Sequence, residues 1–289
     1  MPSQELRLAI VTGAASGLGR AFCRRLAMAG GWHVTAADVD QAALDQTLAE
    51  LRAEFPGASL AAERMDVANI DNWRDLRERH ERDWPRLHLL VNNAGVCMAA
   101  EVGEGSIDDW QKVMGVNFHG VLNGCQTMTP WLRQSAVDRP AVINVASIFG
   151  LVAAPSMGAY AASKAAVVAL SEAMYAELRP HGVRVTIVAP GFFRTQLLDR
   201  GRFKSRRQLE QAEELTRTSK FTADQVAAAA LAGSARGQFY VVLGRRARWF
   251  WRWKRSAPVS LLRALAWRYR RMMDGAEIAE AEINASVID

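Results

Sequence analysis

The sequence predicts an α/β fold in which a parallel β-sheet is covered by helices on both faces. Short apolar runs rich in β-branched residues alternate along the chain with longer segments whose apolar residues recur at helical spacing. Such alternation joins neighbouring strands through crossover helices and therefore gives parallel strands. Half of the 289 residues are hydrophobic and 23% are charged, a composition that supplies a large buried core.

Seven runs are the predicted strands, and five segments between them are the predicted helices. The strands cover 6–12, 32–38, 59–66, 87–92, 140–147, 183–190 and 238–243. The helices cover 18–30, 40–55, 69–84, 106–135 and 156–179. Because no repeat or low-complexity linker interrupts this pattern, we predict one domain over residues 1–244 and a C-terminal helical extension over 245–289.

Cysteine content and the lengths of the apolar runs predict a protein of the cytoplasm. Cys23, Cys97 and Cys125 are an odd number without paired spacing, which favours reduced thiols and predicts no metal site. The first apolar run has four residues, fewer than a signal peptide needs. No window of the sequence approaches the length of a membrane-spanning helix.

Positive charge is concentrated near the C-terminus. Ten Arg or Lys and no acid lie between Arg245 and Arg271, so this segment carries +10. The whole chain carries +6, which leaves −4 for the remainder. The basic character of the chain therefore belongs to this C-terminal segment.

The stretch IVTGAASGLGRAF (10–22) is typical of a dinucleotide phosphate site. Gly13, Gly17 and Gly19 follow a predicted strand and open a predicted helix. A turn this tight needs unusual backbone angles, and a pyrophosphate has to approach bare backbone. The helix N-terminus then offers unpaired N–H groups and a positive dipole to the phosphates.

Asp38 predicts NAD rather than NADP as the cofactor. It closes the second predicted strand, 19 residues after Gly19. A carboxylate at this point accepts hydrogen bonds from the adenosine ribose hydroxyls and repels a 2′-phosphate. Ser16 and Val39 are not basic, so neither offsets that repulsion. A helix-capping or turn role is the alternative for Asp38.

Tyr160 and Lys164 form a candidate acid–base pair. They are four positions apart in an Ala-rich run without Pro, so they share one face of a helix. A phenol with a pKa near ~10 works at neutral pH only if its anion is stabilised. We therefore expect the Lys164 ammonium to lower the pKa of Tyr160. A solvated surface contact is the alternative for the pair taken alone.

Taken together and in order, the motifs resemble those of the classical short-chain dehydrogenase/reductase family over roughly residues 5–244. The family's TGxxxGxG motif matches 12–19, its NNAG motif matches 92–95, and its YxxxK motif matches Tyr160 and Lys164. Single positions of the family pattern, in the MDV, GVNFHG, INVASIFG and PG-turn stretches, match Asp66, Asn117, Ser147, Pro190, Gly191 and Thr195.

The resemblance implies a Rossmann-type, doubly wound sheet of seven parallel strands with a dinucleotide across its carboxyl edge. Tyr160 would exchange a proton with the substrate oxygen, and Lys164 would also hold the nicotinamide ribose. Ser147 would hydrogen-bond to the substrate carbonyl, and Asn117 would anchor a water that relays protons from Lys164. A strand-end cap is the alternative for Ser147, and a backbone bridge is the alternative for Asn117. The implied cofactor-binding residues are Gly13, Ser16, Gly17, Leu18, Gly19, Asp38, Asp66, Val67, Asn93, Ala94, Gly95, Tyr160, Lys164, Pro190, Gly191 and Thr195.

The chain departs from the family pattern at its C-terminus. The usual DGG-like ending is absent, and 45 residues follow Gly244. The family's common tetramer therefore does not transfer directly, although a homo-oligomer remains the expectation. Residues 249–255, WFWRWKR, interleave aromatic rings with positive charge.

Residues 260–273 project as an amphipathic helix with a basic polar face that also carries Trp267. The apolar arc consists of Leu261, Leu262, Leu265, Ala266, Tyr269, Met272 and Met273. Three interpretations are open: packing on the domain or a second subunit, binding to an anionic membrane surface through 245–273, and nucleic-acid binding. The last is disfavoured because no recognition module accompanies the charge.

Apolar residues near the predicted site favour a hydrophobic substrate. Val152 and Met157 lie close to it, and the family's substrate region, about 192–222, contains Phe192, Phe193, Leu197, Leu198, Phe203 and Phe221. We predict an NAD(H)-dependent oxidoreductase that interconverts a secondary alcohol and a ketone, with a lipid-like or acyl substrate. A 3-oxoacyl thioester reductase is the alternative, against which Asp38 weighs. A catalytically idle dinucleotide sensor that docks to a membrane or partner is another, against which the intact Ser147, Tyr160 and Lys164 weigh.

Overall fold

The computed structural model describes residues 6–193, 202–203 and 206–286. Within them lie the strands β1 (Arg7–Thr12), β2 (Trp32–Asp38), β3 (Ser59–Arg64), β4 (Leu89–Asn92), β5 (Met98–Ala99), β6 (Ala141–Val145), β7 (Arg184–Ala189), β8 (Arg202–Phe203) and β9 (Tyr240–Val242). The helices are α1 (Gly17–Ala29), α2 (Gln41–Glu54), α3 (Ile70–Asp83), α4 (Ile107–Met114), α5 (Gly120–Gln134), α6 (Ile148–Leu151), α7 (Gly158–Leu178), α8 (Arg206–Arg217), α9 (Ala223–Ala235), α10 (Arg245–Ser256) and α11 (Pro258–Ser286).

Seven strands form one parallel sheet in the order β3-β2-β1-β4-β6-β7-β9, and β5 pairs with β8 separately. Each predicted strand overlaps one strand of the large sheet, so the predicted fold class is confirmed. The chain builds outward from β1 to β3 and then outward in the other direction from β4 to β9. At such a switch point the loops after β1 and β4 diverge and leave a crevice at the carboxyl edge.

The core lies on both faces of the sheet. On one face α1, α2 and α9 pack through residues such as Phe22, Leu48 and Val226. On the other face α3, α5 and α7 pack through large side chains that include Trp73 and Trp131, both fully buried. Because the central strands are covered twice, they are apolar almost throughout, which is why they are recognisable as short continuous runs.

The helix predicted over 106–135 is interrupted. α4 ends at Met114, a π-helical turn spans Gly115–His119, and α5 follows. Such a turn inserts an extra residue and rotates the side chains relative to the regular helix. Here it carries Asn117, whose side chain is fully buried and points at the loop that follows β4. The helical spacing of apolar residues does not indicate this break.

The extension is helical, as predicted, and its first part packs against the segment that follows β6. Ala247 of α10 and Leu261 of α11 are buried against Ile148 and Val152, with several aromatic side chains of α10 around them. Trp251 of α10 also lies against Tyr240 of β9, with ring centroids 4.8 Å apart, and so shields the edge strand of the sheet. No helix within the described residues is both long and apolar enough to cross a bilayer.

The predicted apolar arc of 260–273 is divided between two environments. Leu261 is fully buried, whereas its neighbour Leu262 is 47% exposed and Met273 is also exposed. The helix meets the domain along a narrow line of positions spaced by four, so residues beside that line stay in solvent. Packing on the domain therefore accounts for only part of the arc.

Candidate active site at the carboxyl edge of the sheet

Glycines close the turn after β1 because neighbouring backbones approach too closely for a side chain. A Cβ atom on Gly13 would lie 2.8 Å from the Cα of Ala94, and one on Gly19 would lie 1.9 Å from the carbonyl oxygen of Gly13. Gly13 and Gly17 also have positive φ angles, +65° and +53°. The turn, the loop after β4 and the start of α1 thus form one tightly packed unit.

The N-terminus of α1 fits a phosphate. Ser16 occupies the N-cap position but makes no side-chain capping hydrogen bond, and the first turn contains no acidic residue. The N–H groups of this turn, including those of Gly17 and Leu18, therefore remain available to an anion, and the helix dipole favours negative charge there.

Asp38 braces the same turn from the end of β2. Its carboxylate accepts hydrogen bonds from the backbone N–H of Ala15 at 3.0 Å and of Asp40 at 3.1 Å. Each carboxylate oxygen has two acceptor sites, so both oxygens keep one site free. The turn-residue alternative therefore describes part of what Asp38 does, and it leaves room for ribose hydroxyls.

The loop after β4 is held to the turn by hydrogen bonds of Thr12 and Asn93. Thr12 Oγ1 accepts from the backbone N–H of Asn93 at 3.0 Å and of Ala94 at 3.1 Å, while Asn93 Nδ2 donates to the Thr12 carbonyl at 2.9 Å. The two other implied adenine-side residues lie after β3: Asp66 is exposed and Val67 is buried. These elements bring 13–19, 38, 66–67 and 93–95 to one edge of the sheet.

Ser147, Tyr160 and Lys164 lie together beside this edge. Ser147 follows β6 and caps α6, accepting from Phe149 N at 3.2 Å. Tyr160 and Lys164 lie in the first two turns of α7, and both are buried. Ser147 lies close enough to Tyr160 for its hydroxyl to stabilise a Tyr160 phenolate, and the Lys164 ammonium lies 5.9 Å from the centre of the Tyr160 ring. The surface-contact alternative for the pair is therefore excluded.

Burial governs the protonation of this pair. Desolvation raises the pKa of Tyr160 above its ordinary value, the charge of a Cys97 thiolate would raise it further, and the hydrogen bond from Ser147 opposes both. The same desolvation lowers the pKa of Lys164 to about 8. The expectation that Lys164 lowers the pKa of Tyr160 is wrong for this arrangement, because the cost of burying a phenolate dominates. Tyr160 is therefore a neutral phenol at neutral pH.

Asn117 bridges the site from behind. Its Oδ1 accepts from Val96 N at 2.7 Å, and its Nδ2 donates to the Val96 carbonyl at 2.9 Å and to Ser163 Oγ at 3.1 Å. Gly95 is enclosed between Asn117 and Lys164: a Cβ there would lie 3.1 Å from Asn117 Oδ1 and 3.4 Å from Lys164 Nζ. The predicted backbone bridge is present, and it fixes the loop that faces Lys164.

The turn after β7 completes the described part of the site. The Pro190 carbonyl accepts from Ile148 N at 2.9 Å, which ties the turn to α6, and Gly191 follows it. Phe149 packs edge-on against Phe192, at 5.6 Å between ring centroids, and against Tyr160, at 6.3 Å. Three residues named from the sequence, Thr195, Leu197 and Leu198, lie outside the described residues.

Two features of the site were missed in the sequence. Cys97, assigned there only as a reduced thiol, is buried beside Lys164 and Tyr160, and burial raises its thiol pKa to about 12. Behind the site, Asn92 Nδ2 donates to Asn144 Oδ1 at 2.9 Å, and Asn144 Nδ2 donates to Ser171 Oγ at 2.9 Å. An amide in the middle of the apolar run 140–147 was the available signal for this network. Within the described residues, no cluster of His, Cys, Asp and Glu could hold a metal ion.

Comparisons with known proteins relate the chain to oxidoreductases. The family model described as short chain dehydrogenase matches residues 7–204. The chain is 32% identical to the 3-oxoacyl-[acyl-carrier-protein] reductase of Thermotoga maritima over 196 residues, 68% of this chain and 78% of that protein. It is also 32% identical to the cyclopentanol dehydrogenase of Comamonas testosteroni over 197 residues, 67% of this chain and 77% of that protein.

Solved structures share the architecture. A short chain dehydrogenase/reductase from Burkholderia phymatum in complex with NAD has a TM-score of 0.80 at 32% identity, covering 88% of this chain and 95% of its own. A short chain dehydrogenase from Burkholderia cenocepacia in complex with NADP has a TM-score of 0.72 at 28% identity, covering 90% and 98%.

The buried Lys164 makes folding stability depend on pH in an unusual direction. Unfolded, this lysine keeps its proton to a pKa of 10.5, whereas in the folded protein it loses the proton near pH 8. Between these two pKa values the lysine of the unfolded chain binds more protons than that of the folded protein. This lysine therefore makes the free energy of unfolding rise with pH, by roughly 1 kcal/mol per pH unit midway between the two values. The buried thiols Cys23, Cys97 and Cys125, whose pKa values are raised by burial, make the free energy of unfolding fall as the pH rises over the same range, so the lysine is isolated by difference. In denaturant titrations at pH 8.0, 8.8 and 9.5, we expect the free energy of unfolding of the wild type to rise relative to that of Lys164→Met. Lys112→Met, which removes an exposed ammonium, should run parallel to the wild type; parallel curves for wild type and Lys164→Met would contradict the assignment.

Proposed function

Because the chain belongs to the short-chain dehydrogenase/reductase family, we propose that it is an NAD(H)-dependent oxidoreductase interconverting a secondary alcohol and a ketone. The observation that carries this proposal is the buried contact of the Ser147 and Tyr160 side chains, with Lys164 beneath them at the carboxyl edge of the sheet. A sensor that only binds a dinucleotide has no use for a proton donor placed there.

Tyr160 delivers the proton in the reductive direction. Burial keeps its hydroxyl protonated, so it donates to a substrate oxygen as negative charge develops on that oxygen. Ser147 hydrogen-bonds to the same oxygen and fixes its position. When bound, the nicotinamide supplies or accepts the hydride. In the oxidative direction, Tyr160 accepts the alcohol proton and needs a route to release it.

Lys164 and Asn117 form that route. The Lys164 ammonium donates to the Val145 carbonyl at 2.9 Å, and with a pKa of about 8 it gains or loses a proton near neutral pH at little cost. Asn117 uses both amide hydrogens and one acceptor site on the protein, so Oδ1 keeps one site for a water. That water would pass protons from Lys164 towards solvent.

The glycine turn and Asp38 support NAD as the cofactor. The α1 N-terminus would hold the phosphates, and the free acceptor sites of the Asp38 carboxylate would hold the adenosine ribose hydroxyls. A 2′-phosphate would meet this carboxylate at close range, and the sequence places no base at Ser16 or Val39. Gly95 beside Lys164 would receive the nicotinamide end.

Apolar surroundings support a hydrophobic substrate. Phe149 and Phe192 continue the apolar surface outward from Tyr160, and Val152 lies one turn further along the same segment. The name of the Comamonas relative agrees with a secondary alcohol as substrate. The name of the Thermotoga relative supports a second candidate, a 3-oxoacyl thioester reductase, which Asp38 disfavours if that reaction uses NADPH.

Activity should follow alkyl chain length and should require the Tyr160 hydroxyl. With NAD and secondary alcohols graded by length, NADH fluorescence should show kcat/KM rising as the chain grows, because each buried CH₂ contributes up to about 0.8 kcal/mol. Tyr160→Phe should retain NADH binding and lose about a thousandfold or more in kcat. Tyr175→Phe, on the same helix with its hydroxyl bonded to Arg179, serves as the control and should keep full activity. Retention of substantial turnover by Tyr160→Phe, or activity confined to small polyols, would refute the proposal.

Asp38→Asn separates the charge of Asp38 from its bracing role. The amide oxygen still accepts from Ala15 N, so the glycine turn keeps this bond; the bond from Asp40 N is lost, and the repulsion towards a 2′-phosphate disappears. We expect the preference for NAD over NADP in kcat/KM to fall by roughly tenfold or more, mostly through better use of NADP. An NADP preference in the wild type would overturn the cofactor assignment and revive the 3-oxoacyl reductase.

The outer face of the extension supports a location in the cytoplasm at an anionic membrane surface. Trp249 of α10 is 56% exposed, and Trp267 and Leu262 of α11 are 59% and 47% exposed. The segment 245–271 supplies ten positive charges and no negative one. Arg with exposed Trp on one helical surface is suited to anionic headgroups. A homo-oligomer is compatible with this arrangement if its interface leaves α11 free.

Vesicle sedimentation tests the membrane assignment. The protein should sediment with phosphatidylcholine–phosphatidylserine vesicles at low salt and be released at high salt. Arg268→Glu/Arg271→Glu should weaken binding roughly tenfold or more, since each base near the surface contributes about 1 kcal/mol. Arg74→Glu/Arg82→Glu, the same charge change at exposed positions of α3, should have little effect. Equal effects of the two pairs, or binding to a nucleic-acid duplex and not to vesicles, would reject the assignment.

A further inference from the structure

The extension covers the segment that joins two residues of the candidate active site. Leu261 of α11 is fully buried against Ile148 and Val152, which lie between Ser147 and Tyr160. Leu265, one turn later, lies at the edge of the same cluster. The inner line of α11 therefore runs along the chain that leads from the active-site serine to the active-site tyrosine.

Tyr269 continues this inner line and ends it with two hydrogen bonds. It lies eight residues after Leu261, on the same side of the helix. Its hydroxyl is 3.2 Å from Ser156 Oγ and also donates to the Glu101 carboxylate. The flanking residues Arg268 and Arg270 are exposed, so Tyr269 alone reaches inward at this turn.

The two partners of Tyr269 stand on different loops that are joined to each other. Ala100 N donates to the Ser156 carbonyl at 2.8 Å, and Ala100 forms a parallel bridge with Met157. Glu101 follows the strand that continues the Gly95–Cys97 loop, and Ser156 lies two residues before α7 begins. One hydroxyl therefore links the extension to the loop beside Lys164 and to the loop that leads into Tyr160.

Ser156 needs such support. Its φ is +59°, a left-handed conformation that is unfavourable for a residue with a side chain and persists where neighbouring contacts hold it. The Ser156 carbonyl accepts a hydrogen bond from Ala100 N, and its hydroxyl is hydrogen-bonded to the Tyr269 hydroxyl. These two hydrogen bonds hold Ser156 in this conformation.

We propose that Tyr269 is a positioning residue, and that through it α11 forms one wall of the substrate site. This proposal rests on the proposed function for the reaction itself. Tyr269 makes no contact with Ser147, Tyr160 or Lys164 in the described structure, so it acts on them through the loops at 100–101 and 154–157. Loss of its hydroxyl leaves the Glu101 carboxylate without this donor and loosens the loops at 100–101 and 154–157, against which an apolar substrate packs. The proton-transfer groups stay in place.

Tyr269→Phe separates this role from a purely structural one. We expect KM for the alcohol to rise about five- to tenfold, the size expected for loss of an ordinary intramolecular hydrogen bond, with kcat and the Kd for NADH unchanged within about twofold. Glu101→Gln keeps an acceptor for the hydroxyl and should have a smaller effect than Glu101→Ala. Tyr240→Phe is the matched control: it breaks an equivalent tyrosine–glutamate bond, to Glu172, beneath α10 and should leave KM unchanged.

Hydrogen exchange tests the proposal without a substrate. In Tyr269→Phe the amides of Ala100 and Met157 should exchange about tenfold faster, while those of β1 and β4 keep the wild-type rate. Unchanged exchange at both amides, or the same rise in Tyr240→Phe, would overturn the positioning role. If the wild type turns over no alcohol, the proposed function fails, and the exchange rates still decide whether Tyr269 holds the loops.

Discussion

The burial of the Lys164 ammonium is the constraint on which the rest of the site depends. A charge taken out of water is costly unless it is hydrogen-bonded, and here the Val145 carbonyl at the end of β6 accepts from it. That bond holds α7 against the carboxyl end of the sheet and so places Tyr160 beside Ser147. A side chain at Gly95 would press first on Asn117 Oδ1, which lies 3.1 Å from a Cβ placed there, and would also touch the Lys164 amine. The lowered pKa of Lys164 and the raised pKa of Tyr160 are two results of the same dry environment.

Around this buried charge, polar side chains fix backbone loops. Thr12 holds the loop after β4, Asn117 holds Val96, and Asp38 holds the glycine turn. Each uses part of its hydrogen-bonding capacity on the protein and keeps part of it free, except Thr12, which is buried and wholly structural in character. Structural and functional interpretations of such residues are therefore not exclusive: a carboxylate or amide that shapes a loop is already rigid when a ligand arrives, and rigidity lowers the entropic cost of binding.

The sequence predicts those parts of the fold and the site in which a local backbone or side-chain geometry requires one particular residue type. Glycines at 13 and 19, the acid at the end of β2, and the four-residue spacing of Tyr160 and Lys164 are of this kind, and the strands were recognisable because both faces of the sheet are buried. The sequence failed where the outcome depends on distant neighbours. The π-turn at 115–119 follows from the loop that Asn117 contacts, 21 residues away. The pKa of Tyr160 follows from burial by elements across the whole site, so a nearby lysine was a poor guide to its direction.

The C-terminal extension shows how one helix can serve two surfaces. Leu261, Leu265 and Tyr269 recur every four residues and occupy a narrow strip, which leaves most of the helical circumference in solvent. An apolar arc drawn from the sequence merges this strip with Leu262 and Met273, although only the strip meets the domain. The inner strip of α11 holds loops of the site, and its outer surface carries the arginines and Trp267. A membrane or partner that binds the outer surface therefore contacts a helix that is anchored to the loops at 100–101 and 154–157. The coupling runs through Tyr269, since it is the residue of that strip whose polar group reaches both loops.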